Sequence, residues 1–395
     1  MNNCAVICEY NPFHSGHKYQ IEHIRELSVD RIFCIMSGSF IQSAMPAFCD
    51  KSLRAECAVA CGADAVIELP TVFCTASAHA FAEGGLRIVK DICGIRYLAM
   101  GATAEKSDIL RIAEVKINHA DEFEKRRKDF LRCGKSYNFA TVSALCEIVS
   151  LEYPEHSTSV EKIFTDPNNI LCIEYIEAIN KFAPNIEPLI IPRLGTAYND
   201  RSRHGVNISA TAIRSAESDG DFDSVSDYIP HGFEKIKKWR AAYAPNIDAY
   251  KKILMYAVKT MPEEQISALR HSAHGMEFLI KKAARIADLD ILLNSEDCKK
   301  YGKKRLMRLF YDAAVGINKN ITGNKFVTRL LSCKKDFDFT ALPQFVLSDN
   351  ASIKSSANSD AEIRSVLETD ERATALFNTV CGIDGDYYNY SLIKV

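Results

Sequence analysis

A repeating alternation in the first half of the chain narrows its possible folds more than any other feature. The short apolar runs Cys4–Glu9, Arg31–Met36, Asp64–Leu69, Arg96–Met100 and Pro188–Ile191 have the length and composition of buried strands. Between them, Lys18–Leu27, Lys51–Cys61 and Ala76–Asp91 show helical spacing. Alternation of this kind predicts a parallel sheet covered on both faces, an α/β Rossmann-like domain. Ligands of such sheets bind beyond the carboxyl ends of the strands, so the residues after each strand are the ones to inspect. After Ser215 the strand signals fade. Met276, Leu279, Ile280, Ala283 and Ala287 then form one apolar helical stripe, and Leu306, Leu309, Phe310 and Ala313 another. At 395 residues the chain exceeds an ordinary single core. The expectation is a catalytic domain over residues 1–220 and a mostly α-helical C-terminal domain over 221–395, with the boundary between Ser215 and Asp227.

The densest chemical signal follows the first run: Glu9-Tyr10-Asn11-Pro12-Phe13-His14-Ser15-Gly16-His17. Pro12 breaks the strand ladder, His14 or Ser15 starts a helix, and Gly16 exposes bare backbone. The helix N-terminus offers free N–H groups and the positive end of a dipole to a phosphate. His14 and His17, three apart, share one side of the first turn. Both are placed to donate hydrogen bonds as charge builds on a phosphoryl group. By spacing alone the segment also reads as a turn with surface histidines. A later segment, Ile208-Ser209-Ala210-Thr211-Ala212-Ile213-Arg214, reads by itself as a capped helix start.

H-x-G-H at this position resembles the signature of the nucleotidyltransferase (HIGH) superfamily, and the later segment resembles its I-S-x-T-x-x-R motif. The resemblance implies that His14 and His17 are catalytic, stabilising the α–β phosphates of ATP, and that Ser209, Thr211 and Arg214 form a second phosphate clamp. Met36-Ser37-Gly38, Val66-Ile67-Glu68-Leu69-Pro70 and Pro167-Asn168-Asn169-Ile170-Leu171 follow in order. Together these motifs look like the bacterial tRNA(Met) cytidine acetate ligase family, well matched over the first 215 residues and more faintly through His274-Gly275-Met276-Glu277. Its ATP site carries over to Ile7, Cys8, Glu9, Tyr10, Asn11, Pro12, Phe13, His14, Ser15, Gly16, His17, Lys18, Tyr19 and Gln20, with Gly101, Asn168, Arg193 and Leu194. The implied reaction joins acetate and ATP as acetyl-adenylate, releases pyrophosphate, and passes the acetyl group to the wobble cytidine of elongator tRNA(Met). ATP is expected as substrate with Mg²⁺, and no metal ligand set or organic cofactor is read.

Composition bounds the partners. Hydrophobic residues are 47%, charged residues 25%, and net charge is only -2, which gives no whole-protein attraction to nucleic acid. Local charge differs: residues 276–308 hold nine Lys/Arg against five Asp/Glu, leaving the rest of the chain near -6. Lys281, Lys282, Arg285, Lys300, Lys303, Lys304 and Arg308 are the tRNA-phosphate candidates, with Tyr301 and Tyr311 as bases' stacking partners. A solvated lysine-rich helix face explains the same residues. Fourteen cysteines include no C-x-x-C pair and read as small buried groups in a reducing compartment. With no apolar run of membrane length and no signal-like N-terminus, a cytoplasmic protein with no membrane or DNA partner is expected.

The sequence departs from the family at two loops. The usual S-G-x-F-x-Q-R-G-E-P is here Ser37-Gly38-Ser39-Phe40-Ile41-Gln42-Ser43-Ala44-Met45-Pro46, and the usual G-S-E is Gly101-Ala102-Thr103. Both make the pocket rim less charged. They leave room for a second reading, an adenylyltransferase or small-molecule acyl-adenylate ligase with no RNA substrate. A third is a non-catalytic RNA-binding protein on a relic nucleotide fold. Lys51 and Arg54 open a helix and read equally as substrate-facing or solvated.

Overall fold

The computed structural model describes all residues except 136, 154–156, 194–206, 284, 287 and 300, and, for side chains, also 138, 157–159 and 299. Five parallel strands form its centre: β1 (Asn3–Cys8), β2 (Ile32–Ser37), β3 (Ala65–Leu69), β4 (Ile95–Ala102) and β5 (Glu187–Pro192). Their ends lie within a few residues of the apolar runs. Strand order is β5-β4-β1-β2-β3, so the winding reverses between β1 and β4. That reversal opens a crevice at the carboxyl ends of those two strands.

Period-two alternation sorts side chains between the two faces. Ala5, Ile7, Phe33 and Ile35 join one hydrophobic cluster, with helices Ala78–Val89 and Pro167–Phe182. Cys4, Val6, Cys34 and Met36 join the other, with α1 (Ser15–Glu26) and α2 (Lys51–Ala60). Phe33, Phe81 and Phe310 are almost fully buried, each contributing about 1.5–3 kcal/mol.

The chain returns to this sheet after the boundary expected near residue 220. Strand β6 (Thr328–Cys333) pairs antiparallel with β3, and β7 (Val346–Leu347) and β8 (Ile393–Lys394) pair with β6. Tyr250, Leu254, Leu306 and Phe377, all beyond position 220, pack in the same cluster as Phe33 and Phe81. The C-terminal half is otherwise helical, as the stripes predict. Among the described residues no helix is long and apolar enough to cross a membrane.

Candidate active site

A cavity of about 640 Å³ lies at the crevice beside β1 and β4. Its floor comes from the turn after β1. Tyr10 adopts φ 47°, a left-handed conformation that costs a non-glycine residue about 1–2 kcal/mol. Its ring is buried, and its hydroxyl lies 3.3 Å from Cys34 Sγ. Asn11 Oδ1 accepts the Phe48 N–H at 2.6 Å, pinning the next loop to the motif.

His14 is the N-cap of α1. Its Nδ1 accepts the Gly16 N–H at 3.1 Å, and His17 Nδ1 accepts the His14 N–H at 3.2 Å. The two imidazoles thus form a capping box, with ring centroids 3.8 Å apart. Because each Nδ1 is an acceptor, each neutral ring carries its proton on Nε2. Burial, then Arg193 and Arg214, push the His14 pKa down to about 3; burial, then His14 and Arg193, push His17 well down. Both rings stay neutral at pH 7 and line the cavity. Gly16 serves this packing: a Cβ there meets His14 Cε1 at 3.0 Å.

Other elements converge on the same space. Arg214 donates to Asn11 O at 2.6 Å and Thr211 Oγ1 at 3.1 Å, so the helix Ala210–Ser218 is tied to the motif. Ser209 caps that helix by accepting the Ala212 N–H at 3.0 Å. Arg193 leaves β5 with its backbone N–H on Ala102 O at 2.9 Å. Gly101 makes room for Arg193, whose Cγ lies 3.3 Å from where a Cβ would stand. Asn168 sits in the first turn of its helix, bonded to the Asp166 cap at 2.8 and 2.9 Å.

Of the expected nucleotide residues, Ile7 to Asn11, His14, Gly16, His17, Tyr19, Gln20, Gly101, Asn168 and Arg193 line this cavity, as do Ser209, Thr211 and Arg214. Four others do not. Pro12 and Phe13 are buried, and Phe13 packs edge-on against Tyr10. Ser15 turns its hydroxyl inward, and Lys18 pairs with Glu22 at 2.7 Å on the outer side of α1. Leu194 and Lys300 lie outside the described residues. Sequence reasoning missed Tyr175 and Arg240 on the wall; the loop it placed at the rim lines the cavity through Ile41 to Ser43 and continues past Pro46 with Ala47 and Phe48. In that loop Ala44 holds φ 60° and its carbonyl accepts the Tyr250 hydroxyl. A left-handed backbone is where glycine is the natural residue.

The basic segment divides. Lys282, Arg285 and Lys303 are exposed. Lys281 instead donates to Lys259 O at 2.9 Å, capping the helix Ile247–Thr260. Lys304 reaches this cavity. Arg308 is drawn inward, where burial and Arg270 push its pKa down to about 10. Tyr311 has 0% exposure and packs on Phe40 at 4.8 Å, so it stacks no base. Lys51 and Arg54 are buried, not solvated: Lys51 pairs with Glu68 at 2.6 Å, and Arg54 donates to the carbonyls of Cys49, Glu9, Ser37 and Gly38. Among the described residues, His79, Glu174 and Glu177 have a spacing that suits a cation, but the Lys116 ammonium already lies 3.0 and 2.5 Å from the two carboxylates.

The HIGH nucleotidyl transferase family matches residues 1–385. The tRNA(Met) cytidine acetate ligase of Clostridium perfringens is 30% identical over 329 residues, covering 81% of this chain and 80% of that protein. That of Acetivibrio thermocellus is 32% identical over 329 residues, covering 80% and 78%. Thermotoga maritima TmcAL shares the fold, with TM-score 0.90 and 24% identity for the apo form, and 0.86 and 23% for the form bound with alpha-thio ATP; each pair is covered over 100% of both chains. Motifs, cavity and sequence similarity agree, and the chain belongs to the tRNA(Met) cytidine acetate ligase family of HIGH nucleotidyl transferases.

Proposed function

We propose that this chain is an ATP-dependent ligase that makes N4-acetylcytidine at the wobble position of elongator tRNA(Met) from acetate and ATP. The observation that carries it is the grouping of the neutral His14–His17 pair, Arg193 and Arg214 around one cavity of about 640 Å³, a size suited to a nucleotide. The triphosphate, with the Mg²⁺ that accompanies it as substrate, would meet two neutral N–H donors and two guanidinium groups. Acetate attacks the α-phosphate, pyrophosphate leaves, and the donors stabilise the charge that builds on the phosphoryl oxygens. The exocyclic amine of cytidine then attacks the acetyl carbon and AMP leaves.

Residues 1–220 would supply this chemistry and the mostly helical remainder would hold the tRNA. Exposed Lys282, Arg285 and Lys303 are the backbone-phosphate contacts we assign, giving affinity without sequence choice. The test combines protein, ATP, acetate and elongator tRNA(Met), digests the RNA, and weighs its nucleosides. Acetylcytidine that depends on acetate and ATP is expected. Its absence at saturating substrates rejects the reading, and pyrophosphate release driven by a small metabolite without tRNA would replace it with the adenylyltransferase alternative.

A further inference from the structure

Acetyl transfer needs a proton acceptor that the adenylation residues do not supply. An exocyclic amine that attacks a carbonyl carbon becomes cationic and must lose a proton. His14 and His17 are weak bases here, because burial and neighbouring cations hold both rings neutral. Burial likewise keeps Cys8, Tyr10 and Tyr175 protonated. Glu217 is engaged by Arg240 at 2.6 Å.

Glu9 differs from all of these. It follows the end of β1 and lines the cavity. Its Oε1 accepts the Gln42 N–H at 2.8 Å, which fixes the side chain's direction. Arg54 holds the Glu9 backbone carbonyl separately at 2.7 Å. The carboxyl faces Arg54 on α2, Arg214 on the helix Ala210–Ser218 and Lys304 on the helix Lys303–Val315, with Cys74 and Tyr175 also close. Burial raises its pKa above the usual carboxylate value, against the lowering pull of the Gln42 N–H and those three cations. A carboxylate of raised basicity suits proton abstraction near neutral pH.

We propose that Glu9 is the general base of acetyl transfer, taking the proton from the attacking amine of the RNA base. The inference rests on the ligase reading above. The N–C bond forms. The bond between the acetyl carbon and the AMP oxygen breaks, with its electron pair passing to that oxygen. The amine proton moves to the Glu9 carboxylate and then to solvent after AMP leaves. Adenylate formation from acetate transfers no proton, so that half-reaction does not draw on Glu9 as a base.

Glu9→Gln keeps an acceptor oxygen for Gln42 and removes the basic site. The two half-reactions are measured apart: acetate-dependent ATP–pyrophosphate exchange, and single-turnover transfer from preformed acetyl-adenylate to elongator tRNA(Met). Transfer is expected to fall by about 100-fold or more beyond whatever exchange loses through the place of Glu9 on the ATP-site wall. Equal losses in both, or undiminished transfer, overturn the assignment. The wild-type protein gives a second reading that does not depend on how the variant folds: transfer should rise with pH through the Glu9 titration, and exchange should lack that limb. A transfer rate with no acid limb overturns the assignment too. A wild-type protein that exchanges pyrophosphate yet never yields acetylcytidine would instead sink the ligase reading, so the two failures are distinguishable.

Discussion

Two polar clusters stand at the carboxyl ends of β1 and β3, on either side of β2, and they have opposite fates. Beyond β1, His14, His17, Arg193 and Arg214 surround open space. Beyond β3, Lys51 pairs with Glu68 at 2.6 and 2.8 Å, and the rings of Tyr387 and Tyr390 cover its ammonium at 5.1 and 5.6 Å. Arg329 lies over the same two rings and donates to Asn350 and Tyr387, while Asp370 accepts the Thr71 N–H at 2.7 Å. The C-terminal segment has closed the second cluster with its own side chains. Interior charge therefore does not by itself mark a reactive site; in this chain the distinguishing property is unfilled volume next to it.

Substitutions in the two clusters should separate stability from chemistry. Lys51→Met leaves Glu68 buried without its partner and should cost about 3–5 kcal/mol. A melting curve checks this, and adding Glu68→Gln should recover part of the loss. Comparable stability of Lys51→Met and wild type would erase the contrast. His14→Ala should lower ATP–pyrophosphate exchange by about 100- to 1,000-fold, with a stability loss of only about 1 kcal/mol from the missing cap of α1.

Acidity should separate the clusters by sign. Burial, then Glu68, raises the Asp370 pKa from 3.8 to about 7. Its folded form binds the proton more tightly, so its contribution is present below about pH 4 and is lost as pH rises to 7. Denaturant titrations at several pH values should show Asp370→Asn flattening that decline. His14, depressed from 6.5 to about 3, acts in the other direction: stability is lost as pH falls from 6.5 toward 3, and His14→Asn should flatten that limb. The smallest effect is expected at Ala44→Gly. Relief of a left-handed alanine, about 1–2 kcal/mol, opposes the loss of a buried methyl worth about 0.8 kcal/mol, so chemical denaturation should shift by no more than about 1 kcal/mol.

Much of the sheet end that carries the cavity was legible because local rules coincide there. Apolar runs marked the five parallel strands, and the Pro12, Gly16 and histidine spacing marked the turn. Gly16 has a second role that the spacing did not reveal, since its missing side chain also accommodates the His14 ring. Strand β6 escaped notice because Thr328, Arg329 and Ser332 interrupt its apolar pattern; their polar atoms find partners on Glu68, Tyr387 and Ile393, far away in sequence. Long-range compensation of this kind leaves no local signature. The same limit hid Lys304, whose place at the cavity depends on how its helix docks.

The antiparallel pairing of β6 with β3 has a consequence for biosynthesis. Until Thr328–Cys333 emerges from the ribosome, β3 presents bare amide and carbonyl groups along one side. A nascent chain in that state is exposed to sticking to other chains, and a fragment stopped at residue 220 would retain the hazard permanently. The β3 side of the parallel sheet is therefore safe only once the distant Thr328–Cys333 strand has been made.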